Sequence, residues 1–102
     1  MRLMTKGLEE KLRKSPLYSK DGQGLDAEVV VKFFNPFGAG TWLITEGDQM
    51  PDGDWELFGY CHIFEWEWGY VLLSELESLG MIERDLHASG TVRELRGGAA
   101  RD

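Results

Sequence analysis

The sequence has little of several features that would point to particular classes of protein. Cys61 is the only cysteine, so no disulfide can form within the chain. No run of eighteen apolar residues occurs, so no membrane-spanning helix and no membrane partner are predicted. Residues 1–7 lack the apolar core of a secretory signal. Together these absences predict a cytoplasmic protein that works in a reducing setting.

Positive charge is missing from the whole centre of the chain. Residues 33–83 contain no Lys or Arg and ten Asp or Glu, whereas residues 1–32 carry a net charge of +2 and residues 84–102 a net charge of +1. The formal net charge of the chain is −7. A purely acidic region repels phosphate backbones and attracts basic surfaces. We therefore predict no direct nucleic-acid binding by this region and favour a basic protein partner.

The length and composition of the chain are typical of a small packed domain that is rich in β-sheet. The chain has 102 residues, of which 42% are hydrophobic and 12% aromatic. Aromatic side chains bury much area each and can supply a core at this size. We predict one domain over residues 1–95 and a flexible tail over residues 96–102, and the sequence does not indicate an oligomeric state.

Hydrophobic alternation and turn residues place the secondary structure. A helix is expected near residues 6–14, after Thr5, and a second helix near residues 75–80. Strands are expected at 28–35, 41–46, 55–64 and 66–73, with a fifth, short edge strand within 84–88. The connections between the strands are short, which favours antiparallel pairing. The predicted class is therefore α+β, a four- to five-stranded antiparallel meander with a short helix on each side of it.

The junction between the fourth strand and the second helix carries the clearest local pattern. Trp66, Trp68 and Tyr70 recur at period two, so they share one face of a strand, and core packing is the expected use of aromatic residues at this spacing. Ser74 followed by Glu77 matches a capping box and predicts that the helix starts there.

Several segments together resemble one bacterial family of domain size whose members occur on plasmids, phages and other mobile elements. They are Thr5-Lys6-x-Leu8, Pro16-Leu17-Tyr18, Val31-Lys32-Phe33-Phe34, Trp42 with Thr45-Glu46, Gly59-Tyr60, and Gly69-Tyr70 through Ser74-Glu75-Leu76-Glu77 to Glu83-Arg84-Asp85-Leu86. The family is catalogued as a domain of unknown function, and the resemblance covers about residues 3–87. It implies a mobile-element setting and brings no activity or catalytic residue.

Few residues of the sequence are candidates for catalysis or metal binding. Cys61 and His62 are adjacent and invite comparison with a nucleophile and its base, but neighbouring side chains of a strand point to opposite faces. A hard cation could be collected by four carboxylates, Asp48, Asp52, Asp54 and Glu56, although solvated turn carboxylates explain the same pattern and the spacing is not that of an EF-hand. We predict no metal and no cofactor.

Two functions follow from these patterns. The first is a non-enzymatic interaction protein whose acidic surface binds a basic partner, such as a nucleic-acid-binding host or defence complex. It would then act as a nucleic-acid mimic of the anti-CRISPR or anti-restriction kind. The predicted partner-binding residues are Glu46, Asp48, Asp52, Asp54, Glu56, Glu65 and Glu67. The alternative is a small ligand-binding domain or enzyme, with Trp66, Trp68, Tyr70 and His62 around a cleft that Glu65 and Glu67 complete.

Overall fold

Alternating apolar residues and short turns produce a single antiparallel sheet. The structure, a computed structural model, describes residues 3–85 and 87–101, with side chains described as far as residue 96. The elements in chain order are α1 (Lys6–Arg13), β1 (Val31–Phe34), β2 (Thr41–Gln49), β3 (Trp55–His62), β4 (Trp66–Leu72), α2 (Leu73–Ser78), β5 (Glu83–Arg84) and α3 (Val92–Arg101). The strand order is β4-β3-β2-β1-β5, with every pair antiparallel. The predicted α+β meander with flanking helices is confirmed, and β5 is the short fifth strand.

The ends of the chain depart most from the sequence prediction. Strand β1 is shorter than expected because the residues before it pair with the segment leading into α3. Val29 N–H donates to the carbonyl oxygen of Gly90, and Val92 N–H donates to that of Ala27. Helix α3 then runs through residues 96–101, which the sequence assigned to a tail; the flexibility expected there stays a prediction.

One face of the sheet, the helix face, is covered by α1 and α2. Thr5 begins α1 as predicted, because its side-chain oxygen accepts the N–H of Leu8 at 3.2 Å. Leu8 and Leu12 of α1 are buried in one cluster with residues of the sheet and of α2. The sheet and α2 contribute Val31, Phe33, Trp42, Ile44, Trp55, Leu57, Leu73 and Leu76. This cluster is the main core of the protein.

The opposite face is covered only in part. Helix α3 and a short 3-10 turn (Gly24–Asp26) lie over its β1–β2 side. Val92 and Leu95 of α3 pack there with Leu43, and Tyr60 and Trp66 border the same cluster. None of the described helices is long and apolar enough to cross a membrane.

The predicted capping box at Ser74 and Glu77 is wrong by one half-turn. Helix α2 begins at Leu73, and Glu75 reaches back to accept the N–H of Leu72 at 2.8 Å. Ser74 lies inside the first turn, where both its N–H and its hydroxyl donate to the carboxylate of Asp54. A residue distant in sequence thus supplies the acceptor that a local cap would have provided.

The beginning of the described chain is fixed by residues near its other end. Leu3 N–H donates to Glu77 Oε2 at 2.8 Å, and Arg84 Nη1 donates to the carbonyl oxygen of Leu3 at 2.8 Å. Glu77, which the sequence placed in a cap, therefore ties the segment before α1 to α2.

Candidate functional site

Aromatic side chains of β3 and β4 form a ladder on the face opposite the main core. The antiparallel register sets Phe58 opposite Tyr70, Tyr60 opposite Trp68 and His62 opposite Trp66. The ring centroids of Phe58 and Trp68 are 5.6 Å apart and nearly parallel, and those of Phe58 and Tyr70 are 4.8 Å apart. Such cross-strand contacts order the rings.

Half of this ladder is uncovered. Trp66 and Tyr60 border the cluster under α3, but Trp68 is 39% exposed and Tyr70 is 52% exposed. Tyr18, which is 64% exposed, lies beside Tyr70. The prediction that Trp68 belongs to the core is therefore wrong, because no helix covers β4 at that point among the described residues. Tyr18, Phe58, Trp68 and Tyr70 are called the open aromatic face below.

A buried carboxylate supports the loop that carries Tyr18. Glu46 is 4% exposed, and its two oxygens accept the N–H of Tyr18 at 2.9 Å and of Lys20 at 2.8 Å. Tyr18 has a φ of 72°, a left-handed conformation that is rare for residues other than Gly, Asn and Asp. Glu46 thus stabilises a strained turn. Its oxygens face the protein's own backbone, unlike the exposed position expected for a partner-binding residue.

Lys20 lies at the edge of the same turn. Its ammonium group donates to the carbonyl oxygen of Glu28 at 2.8 Å. Burial lowers the pKa of Lys20, while Glu28 and Glu46 act in the opposite direction. A shallow cleft of about 170 Å³ opens here. It is lined by Lys20, Asp21, Gly22, Gly24, Ala27, Thr45, Glu46, Phe58 and Trp68.

Tyr70 stays protonated at ordinary pH. The hydroxyl of Tyr18 beside it raises the pKa of Tyr70 to about 12, with smaller contributions from burial and from Glu56 and Glu46. A neutral phenol is both a donor and an acceptor, so the open aromatic face offers ring faces and hydroxyl groups to a ligand.

Two of the predicted acidic residues continue the open aromatic face toward the β2–β3 turn. Asp48 and Glu56 are directly opposite each other on β2 and β3, on the same face as Phe58 and Tyr70. Like charges in directly opposed positions are destabilising. Asp48 is exposed and Glu56 is half-buried. The end of the β2–β3 pair next to the turn therefore carries two like charges in opposed positions.

Asp52 and Asp54 have structural tasks in the turn between β2 and β3. Asp52 Oδ1 accepts the N–H of Asp54 at 2.9 Å, and Asp54 Oδ1 accepts the N–H of Trp55 at 2.8 Å. Asp54 also holds the first turn of α2 through Ser74. The hydroxyl of Ser74 is the main cause that lowers the pKa of Asp54, with backbone N–H groups of Trp55 and Ser74 contributing.

Glu65 and Glu67 lie at the far end of the sheet from these residues. Glu67 is opposite Cys61 and projects to the helix face, away from Trp66 and Trp68, as its spacing predicted. Cys61 follows Glu56 on β3 by five positions, about 17 Å of extended chain. The predicted partner-binding residues therefore form two groups at opposite ends of β3, with Glu46 buried between them.

Three cations form ion pairs among the described side chains, each with a carboxylate outside positions 46–67. Arg13 pairs with Glu9, Lys32 with Asp85, and Arg93 with Asp26. Among the described side chains, no ion pair includes an acidic residue between positions 46 and 67. Arg96 also belongs to α3, and the side chain of Arg101 lies outside the described residues. The acidic residues around the β2–β3 turn thus form no ion pair within the described chain, although Arg13 approaches the turn on the helix face, where it donates to Gln49 Oε1 at 3.1 Å and lies over the ring of Trp55.

The residues named for the ligand-binding or catalytic alternative do not all lie at one site in this geometry. Cys61 packs on the helix face, and burial followed by the charge of Glu67 raises the pKa of Cys61 to about 12, so the thiol stays protonated. His62 contacts Trp66 on the other face, with centroids 5.0 Å apart. Glu67 projects away from the Trp residues. In the described part of the chain, no group of three or more His, Cys, Asp or Glu is placed to hold a metal ion.

Comparison with known proteins identifies the family. Residues 3–94 match the family described as "Protein of unknown function (DUF2958)", so the chain belongs to it. No curated protein and no solved structure matches the chain.

Proposed function

We propose that this member of the family is a non-enzymatic interaction module that binds a basic surface of another protein. The binding surface is an acidic patch, consisting of Asp48, Asp52, Asp54 and Glu56, together with the open aromatic face beside it. The observation that carries the proposal is the Asp48–Glu56 pair. Two carboxylates in opposed positions repel each other, and a cation supplied by a partner would turn that repulsion into attraction.

The open aromatic face supports the same partner chemistry. Exposed Trp and Tyr rings attract Lys and Arg side chains through the negative face of the ring, worth about 0.5–1 kcal/mol at exposed sites. Trp68 and Tyr70 project from the same side of the sheet as Glu56. A partner side chain that reaches from a ring to a carboxylate would gain from both groups.

The resemblance to proteins of mobile elements extends the proposal. The basic partner would be a nucleic-acid-handling host factor or a defence complex. The acidic patch would occupy part of its nucleic-acid channel, as anti-CRISPR or anti-restriction inhibitors of the mimic type do. Glu65 and Glu67, at the other end of β3, would make a second contact only with a partner long enough to span both groups.

The experiment is affinity capture from a bacterial lysate with three forms of the protein. The test variant carries Asp48→Lys and Glu56→Lys, because Asp52 and Asp54 hold backbone groups and their replacement would disturb the turn. The control variant carries Glu10→Lys and Glu83→Lys, two exposed positions elsewhere. Both variants change the net charge by the same four units, so a difference between them reports the position of the charge.

We expect the parent and the control to capture the same basic proteins and the test variant to lose them. The difference in capture between the parent and the test variant should be larger at low salt, where charges are screened less. A thermal melt of each form checks folding. Captured proteins that are not basic, or that the test variant retains, would contradict the proposal. For the mimic form of the proposal, the captured partner should bind duplex DNA more weakly when the parent is added.

A further inference from the structure

Strand β4 is an open edge of the sheet. It ends the strand order, and its seven residues span about 23 Å, whereas the opposite edge, β5, has two residues. In an edge strand every second residue directs its N–H and C=O away from the neighbouring strand. Such an edge can accept the main chain of another segment.

Most of the devices that usually protect an edge are missing from β4, whose one charged residue is Glu67. The strand contains no Lys, Arg or Pro. Its pairing with β3 is continuous from Trp66 to Leu72, whereas the β2–β3 pairing is interrupted by a bulge between Ile44 and Glu46. A long, regular edge with little protection is a template for strand addition.

Gly69, at the centre of β4, has no internal explanation. A Cβ atom at Gly69 would have no neighbour within 4 Å, and its φ is outside the left-handed region. At Gly59, its opposite on β3, a Cβ would lie 2.0 Å from the carbonyl oxygen of Leu43, so glycine is required there. Glycine weakens a strand and often marks the close approach of another backbone. At Gly69 that other backbone is not part of the described chain.

From these observations we infer that β4 receives an extended, basic segment of the partner as a sixth strand of the sheet. The charge of that segment rests on the function proposed above; the mode of binding does not. The segment's alternate side chains would contact the two sides of β4. One set meets the rings of Trp68 and Tyr70, and the other set meets the carboxylate of Glu67.

A second copy of this chain is the other occupant that fits the geometry. A symmetric register centred on Gly69 would place Trp68 opposite Tyr70 of the other copy and Glu67 opposite Val71. However, each copy carries a net charge of −7, and both would bring Glu65 and Glu67 to the same edge. Charge complementarity therefore favours the basic segment.

The test uses a fluorescent, acetylated seven-residue peptide of alternating lysine and threonine, titrated with the full chain and followed by anisotropy. A second peptide carries N-methyl groups on the main-chain nitrogens of its three central residues. This change removes N–H donors on both sides of the peptide strand and leaves the charge of the peptide unchanged. On the protein, Glu67→Lys is compared with Glu83→Lys, a matched change on the opposite edge strand.

We expect the N-methylated peptide to bind about tenfold more weakly, because one or two of its three blocked N–H groups face β4 and their main-chain hydrogen bonds are lost. Glu67→Lys should weaken binding of the unmodified peptide, and Glu83→Lys should do so much less. Equal binding of the two peptides would overturn strand addition, as would a dimer of the free protein at micromolar concentration that Glu67→Lys dissociates.

The same titration separates this inference from the proposed function. If the Asp48→Lys and Glu56→Lys variant loses the peptide while N-methylation and Glu67→Lys have no effect, the acidic patch binds basic segments but not as an added strand. If that variant binds both peptides as the parent does while N-methylation still weakens binding, strand addition holds and the acidic patch is not the binding surface.

Discussion

The two faces of the sheet show what the fold needs and what it leaves available. On the helix face, Phe33, Ile44 and Leu57 are completely buried, and α1 and α2 cover them. On the other face, α3 covers one side and leaves Trp68 and Tyr70 exposed. Large aromatic residues exposed together on a small domain are a feature of interaction surfaces. The helix face therefore supplies the stability, and the open aromatic face is available for binding.

Each face depends on one carboxylate that reaches across the chain. On the helix side, Asp54 holds the first turn of α2, which presents Leu76 to the core. On the other side, Glu46 holds the backbone of Tyr18 and Lys20. Asp54 is partly exposed whereas Glu46 is buried, so their removal should have different costs.

The two faces should differ most in the free energy of unfolding that is lost when one aromatic side chain on each face is replaced by alanine. Phe33→Ala should lower the free energy of unfolding by about 3–5 kcal/mol, because it leaves a cavity in the core. Trp68→Ala should cost only about 1 kcal/mol, the loss of its stacking on Phe58 and Tyr60. Urea unfolding followed by circular dichroism measures both. Equal losses would mean that Trp68 is as well covered as Phe33.

Glu46→Ala should loosen the loop that carries Tyr18, which belongs to the open aromatic face. The N–H groups of Tyr18 and Lys20 would lose their acceptor, at a cost of about 2–3 kcal/mol. Hydrogen exchange should accelerate in residues 16–24 while strands β2 and β3 stay protected. Glu56→Ala is the control, and it should be neutral or slightly stabilising because it removes the repulsion with Asp48. Unchanged exchange in residues 16–24 would show that Glu46 does not hold the loop.

Asp54→Ala should destabilise the first turn of α2, on the helix face. The N–H of Ser74 would lose its acceptor, as in a deleted N-cap, which costs about 1 kcal/mol. Ser74→Ala should cost less, because it removes only the hydroxyl donor and leaves the bond from the Ser74 N–H to Asp54. A thermal melt of both variants measures the order. A larger loss for Ser74→Ala would restore Ser74 as the cap.

The smallest predicted effect is on the stability of the protein at low pH. Hydrogen bonds from Ser74 and Trp55 hold the folded-state pKa of Asp54 below 3.8, its ordinary value. The stability contributed by ionised Asp54 is therefore fully present above that value and is lost as the pH falls through the lower folded-state pKa. Asp54→Asn should flatten the fall in melting temperature below about pH 4, and only slightly, because the carboxylate of Asp54 is partly exposed and screened by solvent. A parallel fall in both proteins would assign the acid sensitivity elsewhere.

The sequence predicted the sheet because the strands alternate and the turns are short. It did not predict which residues an added layer would cover. Period two correctly places Trp66, Trp68 and Tyr70 on one side of β4, but the alternation cannot tell whether a helix lies over that side. The position of α3 decides this, and Gly97 and Gly98 lower the helix propensity of that segment.

The site was the least predictable part because its contacts join distant residues. Glu46 looks like one more acid in an acidic region, and only the fold brings it under Tyr18, 28 residues earlier. The capping pattern at Ser74 failed for the same reason, since Asp54 reaches it from 20 residues away. The left-handed conformation of Tyr18 and the contacts of Lys20 carry no local signal that a sequence pattern would register.

The attachment of Leu3 constrains how the chain is assembled during synthesis. Its N–H and C=O are held by Glu77 and Arg84, which follow it by 74 and 81 residues. A ribosome releases the chain from its N-terminus at about 5–20 residues per second, so α1 emerges seconds before either anchor exists. The segment before α1 can dock in its final place only when β5 has left the ribosome. A segment that is made before α1 therefore reaches its final contacts only after β5 has been made.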